Sequence, residues 1–127
     1  MLQNISLGID NNIALITGAG SGIGASCASI FSNAGANLVL VDRHFDDQTA
    51  KLEFGDSSVD YFTMDVTSED DVRDLLGTLI ERYGRIDYLI NSAGIYREKP
   101  LIDLEISEWN IMLSVNLLGT FLFCKHS

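Results

Sequence analysis

The sequence predicts an α/β fold, an open parallel sheet with helices on both faces, and three observations carry that expectation. Short apolar runs at 13–17, 38–42, 59–64 and 86–91 alternate with longer segments of helical periodicity, the order that builds parallel strands joined by crossover helices. A glycine string follows the first run directly, at the point where a strand ends and a helix begins. No internal repeat or low-complexity linker interrupts the alternation, so residues 1–127 read as one domain or part of one.

The elements follow in order. Ile13-Ala14-Leu15-Ile16 is a fully apolar run, as a strand covered on both faces requires. After it, Thr17-Gly18-Ala19-Gly20-Ser21-Gly22-Ile23-Gly24 leads into a helix whose apolar side is expected to hold Ile23, Cys27, Ile30 and Phe31. Leu38-Val39-Leu40-Val41 forms the second strand and ends in Asp42. Between Arg43 and Asp56 the chain is polar, and only a brief helix is expected there. The third helix carries the plainest periodicity, with Val72, Leu75, Leu76, Leu79, Ile80 and Tyr83 on one stripe and Gly84 at its end. Thr67, Ser68, Glu69, Asp70 and Asp71 supply caps and negative charge at its start, stabilising by roughly 0.3 to 2 kcal/mol each. A last helix from about Ser107 has almost no polar face and must be covered on more than one side.

Function collects at the strand ends. Glycines 18, 20, 22 and 24 clear Cβ atoms from a strand-to-helix turn, so backbone N–H groups can approach a pyrophosphate and the helix dipole favours its charge. Asp42 lies about 20 residues beyond the glycines, where a dinucleotide fold places the carboxylate that accepts hydrogen bonds from the adenosine ribose. A carboxylate there repels a 2′-phosphate, so NAD is expected in preference to NADP. Arg43 could meet a 2′-phosphate, but Ser21 offers no second positive charge. Thr17, Asp42, Met64-Asp65 and Asn91 end their strands toward one side of the sheet, where an open α/β sheet binds ligands.

With these residues in place the chain resembles the short-chain dehydrogenases/reductases, whose glycine motif is similar to Thr17-Gly18-x-x-x-Gly22-x-Gly24. Asp65-Val66 resembles the family's pair at the end of the third strand, which there lies against the adenine. Asn91-Ser92-Ala93-Gly94 resembles its Asn-Asn-Ala-Gly stretch, with Ser92 as the departure, and Asn116 resembles the helix-borne Asn of its catalytic tetrad. The resemblance implies a Rossmann-type domain whose cofactor-binding residues are Gly18, Gly20, Ser21, Gly22, Ile23, Gly24, Asp42, Arg43, Asp65, Val66, Asn91, Ala93 and Gly94. It also implies that Asn116 holds a water in the proton path.

The family's chemistry needs a Ser and a Tyr-x-x-x-Lys pair beyond the Asn helix. Tyr61, Tyr83, Tyr88 and Tyr96 are followed four positions on by Asp65, Asp87, Ser92 and Pro100, so none supplies it. A free phenol titrates near ~10 and needs a neighbouring cation to exchange protons near neutrality. The expectation is therefore a partial NAD(P)-binding domain, its sheet incomplete at the C-terminal side and inactive alone. In a longer chain it would transfer hydride between NAD(H) and an alcohol or carbonyl substrate. The alternative is a catalytically silent coenzyme-binding or interaction module that pairs with a full-length relative. Tyr96 and Lys99 do not replace the pair, because Pro100 disfavours helix at Lys99. Ile95, Tyr96 and Arg97 are candidates for touching a substrate.

Composition sets the remaining bounds. Eighteen acidic against eight basic residues give a net charge of −10, which argues against nucleic acid or an anionic membrane surface as partner. Cys27, Cys124, His44 and His126 lack metal-ligand spacing, and Glu69, Asp70 and Asp71 point different ways on a helix, so no metal site is expected. The first six residues do not resemble an export signal, and a cytoplasmic location with reduced thiols is expected. The apolar stretch from Ile111 to Cys124 falls short of the ~20 residues that span a bilayer and reads as a buried helix. An exposed strand at 86–91 and the apolar last helix predict a homo-oligomer or an aggregation-prone chain.

Overall fold

The computed structural model describes residues 7–45, 54 and 57–127. Four parallel strands, β1 (Ile13–Thr17), β2 (Asn37–Asp42), β3 (Val59–Thr63) and β4 (Tyr88–Asn91), form one sheet in the order β3-β2-β1-β4. Registers of Thr17 with Val41 and Asn91, and of Asp42 with Thr63, bring the carboxyl ends level on one side. β4 pairs with β1 alone, so its far side is an open edge among the described residues.

The apolar run of β1 splits by parity, as a doubly covered strand must. Ala14 and Ile16 join Leu38, Leu40, Ala28 and Ala36 on one face, under α1 (Gly22–Asn33). Ile13 and Leu15 join Val39, Val41, Val72, Leu76 and Leu79 on the other, under α2 (Glu69–Tyr83), with Leu122 and Phe123 completing that layer. The predicted helices on both faces are present.

α1 departs from its expected apolar side. Ile23 and Ile30 are exposed, and the buried positions are Gly24, Ala28 and Ser32, with Cys27 and Phe31 half-buried. Small residues face the sheet because the helix lies close to it, which leaves no room for β-branched side chains on that stripe. α2 follows its predicted stripe at Val72, Leu75, Leu76 and Leu79, whereas Ile80 is exposed. Ser68 is its N-cap, accepting from the Asp71 N–H at 3.4 Å, and Gly84 ends it at φ +75°. The brief helix expected after Arg43 and the first six residues lie outside the described residues.

The last helix is continuous from Ile106 to His126 and is built as α3 (Ile106–Leu113), a π turn at Ser114–Leu118, and α4 (Gly119–His126). Gly119 donates its N–H to the Ser114 carbonyl, the i→i−5 bond that widens the turn. Ser114 Oγ donates to Asn110 O at 2.8 Å, a carbonyl that also accepts from the Ser114 N–H, and Thr120 Oγ1 donates to Asn116 O at 3.2 Å. Gly119 lets the helix approach the segment after β3, since a Cβ there would lie 2.7 Å from Val66 Cγ2.

Two expectations about this helix change. Only its inner face is buried, through Val115, Gly119, Leu122 and Phe123, while Trp109, Ile111, Leu113, Leu117, Leu118 and Phe121 are exposed. At 21 residues and a mean hydropathy of 1.2 it is, by length and composition alone, long and apolar enough to cross a membrane. The helix runs beyond Ile111–Cys124 at both ends, from Ile106 to His126, which brings it to that length.

Candidate functional site

Above the carboxyl ends of the strands lies a cavity of about 300 Å³. Gly18, Ser21, Gly22 and Ile23 line it from the β1–α1 turn, Asp42 and Arg43 from the end of β2, and Asp65 and Val66 from the segment after β3. Ser92, Ala93, Gly94 and Ile95 close it from the loop after β4, with Val115 beneath. Nine of the expected cofactor residues other than Val66 thus meet Val66 in one space, although their loops are separated by up to 76 positions. Gly20, Gly24, Asn91 and Asn116 do not line it.

The four glycines have different jobs, and this corrects the expectation that all of them open the turn to a ligand. At Gly22 a Cβ would meet nothing within 4 Å, and its φ of +54° is one that L side chains rarely adopt, so the cleared space there faces the cavity. At Gly18 a Cβ would lie 2.6 Å from the Ala93 nitrogen, and at Gly24 it would lie 2.1 Å from the Gly18 carbonyl oxygen. At Gly20 it would lie 2.4 Å from the His44 carbonyl oxygen. Three of the four therefore admit the protein's own backbone.

The turn is stitched to its neighbours by specific bonds. Ala19 N–H donates to Val41 O at 3.2 Å and Gly20 N–H to Asp42 Oδ2 at 2.8 Å, while His44 N–H donates to Asp42 Oδ1 at 3.2 Å. Each carboxylate oxygen of Asp42 accepts one backbone bond and keeps a second lone pair. Thr17, buried at the end of β1, accepts at Oγ1 from Ala93 N–H at 3.2 Å and ties the loop after β4 to the turn. Hydroxyl chemistry at position 17 was not singled out from the sequence, because Thr in a strand signals only β propensity.

The first turn of α1 has no acidic side chain, and the Ser21 side chain makes no capping bond. An anion at this helix start meets backbone N–H groups and the positive end of the dipole without a competing carboxylate in the turn. With the open space at Gly22, these residues fit the diphosphate of a dinucleotide, and Asp42 fits its ribose hydroxyls.

Asp65 shapes the cavity's third wall. Its Oδ1 accepts from Thr67 N–H at 2.9 Å and from Thr67 Oγ1 at 2.7 Å, and these two bonds hold its carboxyl below the ordinary range, against an opposing effect of burial. Arg43 adds a smaller downward pull. The carboxylate is thereby a fixed acceptor that starts the turn into α2.

Asn116 sits at the centre of the π turn and is exposed rather than enclosed in apolar surroundings. Its Oδ1 accepts from Ile95 N–H at 2.7 Å and its Nδ2 donates to Ile95 O at 2.9 Å, a pair that copies a peptide group and anchors the 92–95 loop. Asn91 lies below the cavity, donating from Nδ2 to Cys124 Sγ at 3.5 Å, with its buried Oδ1 unpartnered among the described residues. Ser92, Ile95 and Val115 are lining residues absent from the expected binding set; Ser92 was visible as the departure inside the Asn91–Gly94 motif. Tyr96 is exposed and, like Lys99, does not line the cavity, and Lys99 pairs with Glu108 at 2.8 Å. Among the described residues no cluster of three or more His, Cys, Asp or Glu is placed to hold a metal.

Comparison with known proteins agrees with this fold. The family model described as short chain dehydrogenase matches residues 12–127. The chain is 38% identical over 120 residues to D-threitol dehydrogenase of Mycolicibacterium smegmatis, covering 92% of this chain and 46% of that protein. It is 39% identical over 124 residues to tropinone reductase-like 1 of Erythroxylum coca, covering 94% and 45%. Among solved structures, a short-chain dehydrogenase/reductase of the glucose/ribitol dehydrogenase type from Brucella melitensis superposes with a TM-score of 0.83 at 35% identity, over 93% of this chain and 51% of that one. The chain spans about half the length of the relatives it matches. With its family model, its relatives and its sheet in agreement, the chain belongs to the short-chain dehydrogenase/reductase family.

Proposed function

We propose that residues 1–127 are a partial nucleotide-binding domain that takes NAD(H) in preference to NADP(H). Members of the family use nicotinamide nucleotides. The observation that carries the preference is the Asp42 carboxylate, held at the cavity wall by the N–H groups of Gly20 and His44 and offering its remaining lone pairs to a ribose. The first turn of α1, with Ser21, Gly22 and Ile23, holds the diphosphate, Asp65 and Val66 flank the adenine, and Ala93 and Gly94 back the nicotinamide half. When bound, the nicotinamide supplies or accepts hydride toward an alcohol or carbonyl carbon. This chain's part is to bind and orient: Asn116 fixes the 92–95 loop, and the proton of the reaction belongs to a Tyr and Lys that residues 1–127 do not supply.

The test is a fluorescence titration of the purified chain with NADH and NADPH, with turnover assayed on the same sample. NADH binding tighter than NADPH, and a narrowed difference in Asp42→Ala, support the assignment. A folded chain that ignores both nucleotides at millimolar concentration refutes it.

The exposed side of the last helix favours a second role beside the first. Leu113, Leu117, Leu118 and Phe121 line an apolar depression on the helix's outer side, and burial of that surface supports pairing with a second copy or with a full-length relative. NADH binding without turnover is the result that favours a silent module.

A further inference from the structure

We propose that Gly20 helps determine coenzyme choice, by leaving the space in which the Asp42 carboxylate is held to face the ribose; this rests on the nucleotide assignment above. The tip of the glycine turn and the end of β2 are built as one unit. Ala19 N–H bonds Val41 O, Gly20 N–H bonds Asp42 Oδ2 at 2.8 Å, and the space beside the Gly20 Cα is filled by the His44 carbonyl oxygen and the carboxylate itself. A Cβ at position 20 would stand 2.4 Å from that carbonyl oxygen and 2.9 Å from Oδ2, distances that side-chain atoms do not tolerate. Backbone strain plays no part, because the Gly20 φ lies outside the left-handed range.

Any side chain at 20 therefore displaces either the 43–44 turn or the carboxylate. Both movements have the same result, since His44 N–H holds the other carboxylate oxygen at 3.2 Å. The carboxylate then loses its aim at a 2′-hydroxyl and its power to repel a 2′-phosphate, while Arg43 on the same wall remains available to that phosphate. Specificity thus resides in a matched pair, a glycine on one loop and an acid on the next, and the acid alone does not confer it.

The experiment is a double-mutant cycle on nucleotide affinity, using wild type, Gly20→Ala, Asp42→Ala and the double variant, each titrated with NADH and NADPH. Loss of an aimed, charge-assisted hydrogen bond predicts that the NADH-over-NADPH preference falls about tenfold in Gly20→Ala. Adding Gly20→Ala to Asp42→Ala is expected to change the preference no further. An unchanged preference in folded Gly20→Ala overturns the proposal, as does a full additional loss in the double variant. Should Gly20→Ala not fold, Asp42→Glu decides, since it keeps the charge but displaces the carboxylate from the Gly20 N–H: a fallen NADH-over-NADPH preference supports the coupling, and an unchanged preference overturns it. A wild type that binds neither nucleotide removes the underlying assignment together with the proposal, whereas NADH binding with an unmoved ratio removes the proposal alone.

Discussion

Gly24→Ala is expected to destabilise the chain even though the same change normally stabilises a helix. Gly24 occupies the third position of α1, and nothing in its backbone excludes alanine, which on propensity alone would contribute up to about 0.8–1 kcal/mol. Space decides against it. The new Cβ would lie 2.1 Å from the Gly18 carbonyl oxygen, 2.7 Å from the Gly18 carbonyl carbon and 3.1 Å from Ala19 Cα, so it strikes backbone and no rotamer change relieves it. Such overpacking costs about 1–3 kcal/mol, and after the propensity gain a net loss of about 1 kcal/mol corresponds to a fall in Tm of roughly 3–6 °C for a domain of this size. Gly77→Ala is the matched comparison, because that glycine lies inside α2 with nothing within 4 Å of its Cβ position. Its Tm is expected to rise. Thermal melts followed by circular dichroism on the three proteins, in one buffer, give both signs. If Gly24→Ala melts at or above the wild-type temperature, close packing of the glycine turn on α1 is refuted as the reason for glycine there.

Asn116→Ala removes both bonds to Ile95, and because the groups are exposed the expected loss is about 1 kcal/mol, with water replacing the side chain. Faster hydrogen exchange at the Ile95 amide checks it, and unchanged protection there would show that the loop is held by something else. Asp65 has a folded pKa below its ordinary value, so its contribution is fully present above the unfolded value near ~3.9 and is lost as pH falls through the lower folded value. Asp65→Asn should therefore show a smaller drop in Tm between pH 7 and pH 3 than wild type, and an equal drop contradicts the linkage. Leu117→Glu on the exposed apolar side of the last helix should shift sedimentation toward the 13.9 kDa monomer. A wild type that is already a folded monomer at the same concentration defeats the pairing proposal.

The order of elements and the helices on both faces were legible in the sequence because hydrophobic periodicity is a local property. The stripe of α2 from Val72 to Leu79 and the apolar run of β1 each report which neighbours they will meet. The cavity wall was legible for the same reason at Gly18, Gly22, Asp42 and Asp65, whose strand-end placement follows once the sheet is parallel. Other features depend on what lies across a gap. Ile23 and Ile30 point outward because α1 sits close to the sheet, and that separation is a property of the packed pair of elements rather than of the helix's own pattern. The four glycines look alike in one dimension, yet three of them make room for Ala93, His44 and the Gly18 carbonyl, and Gly22 alone of the four has open space at its Cβ position.

Sequence alone settled the alternation of strand and helix and the chemical types at the strand ends, since both follow from side-chain polarity and spacing along one chain. Tertiary structure decided which groups each side chain meets: Asn116 with Ile95, Asp42 with Gly20, Thr17 with Ala93. Those partners lie 21 to 76 positions apart, and short-range hydrogen bonds and steric contacts between them exist only after the sheet has brought their loops together.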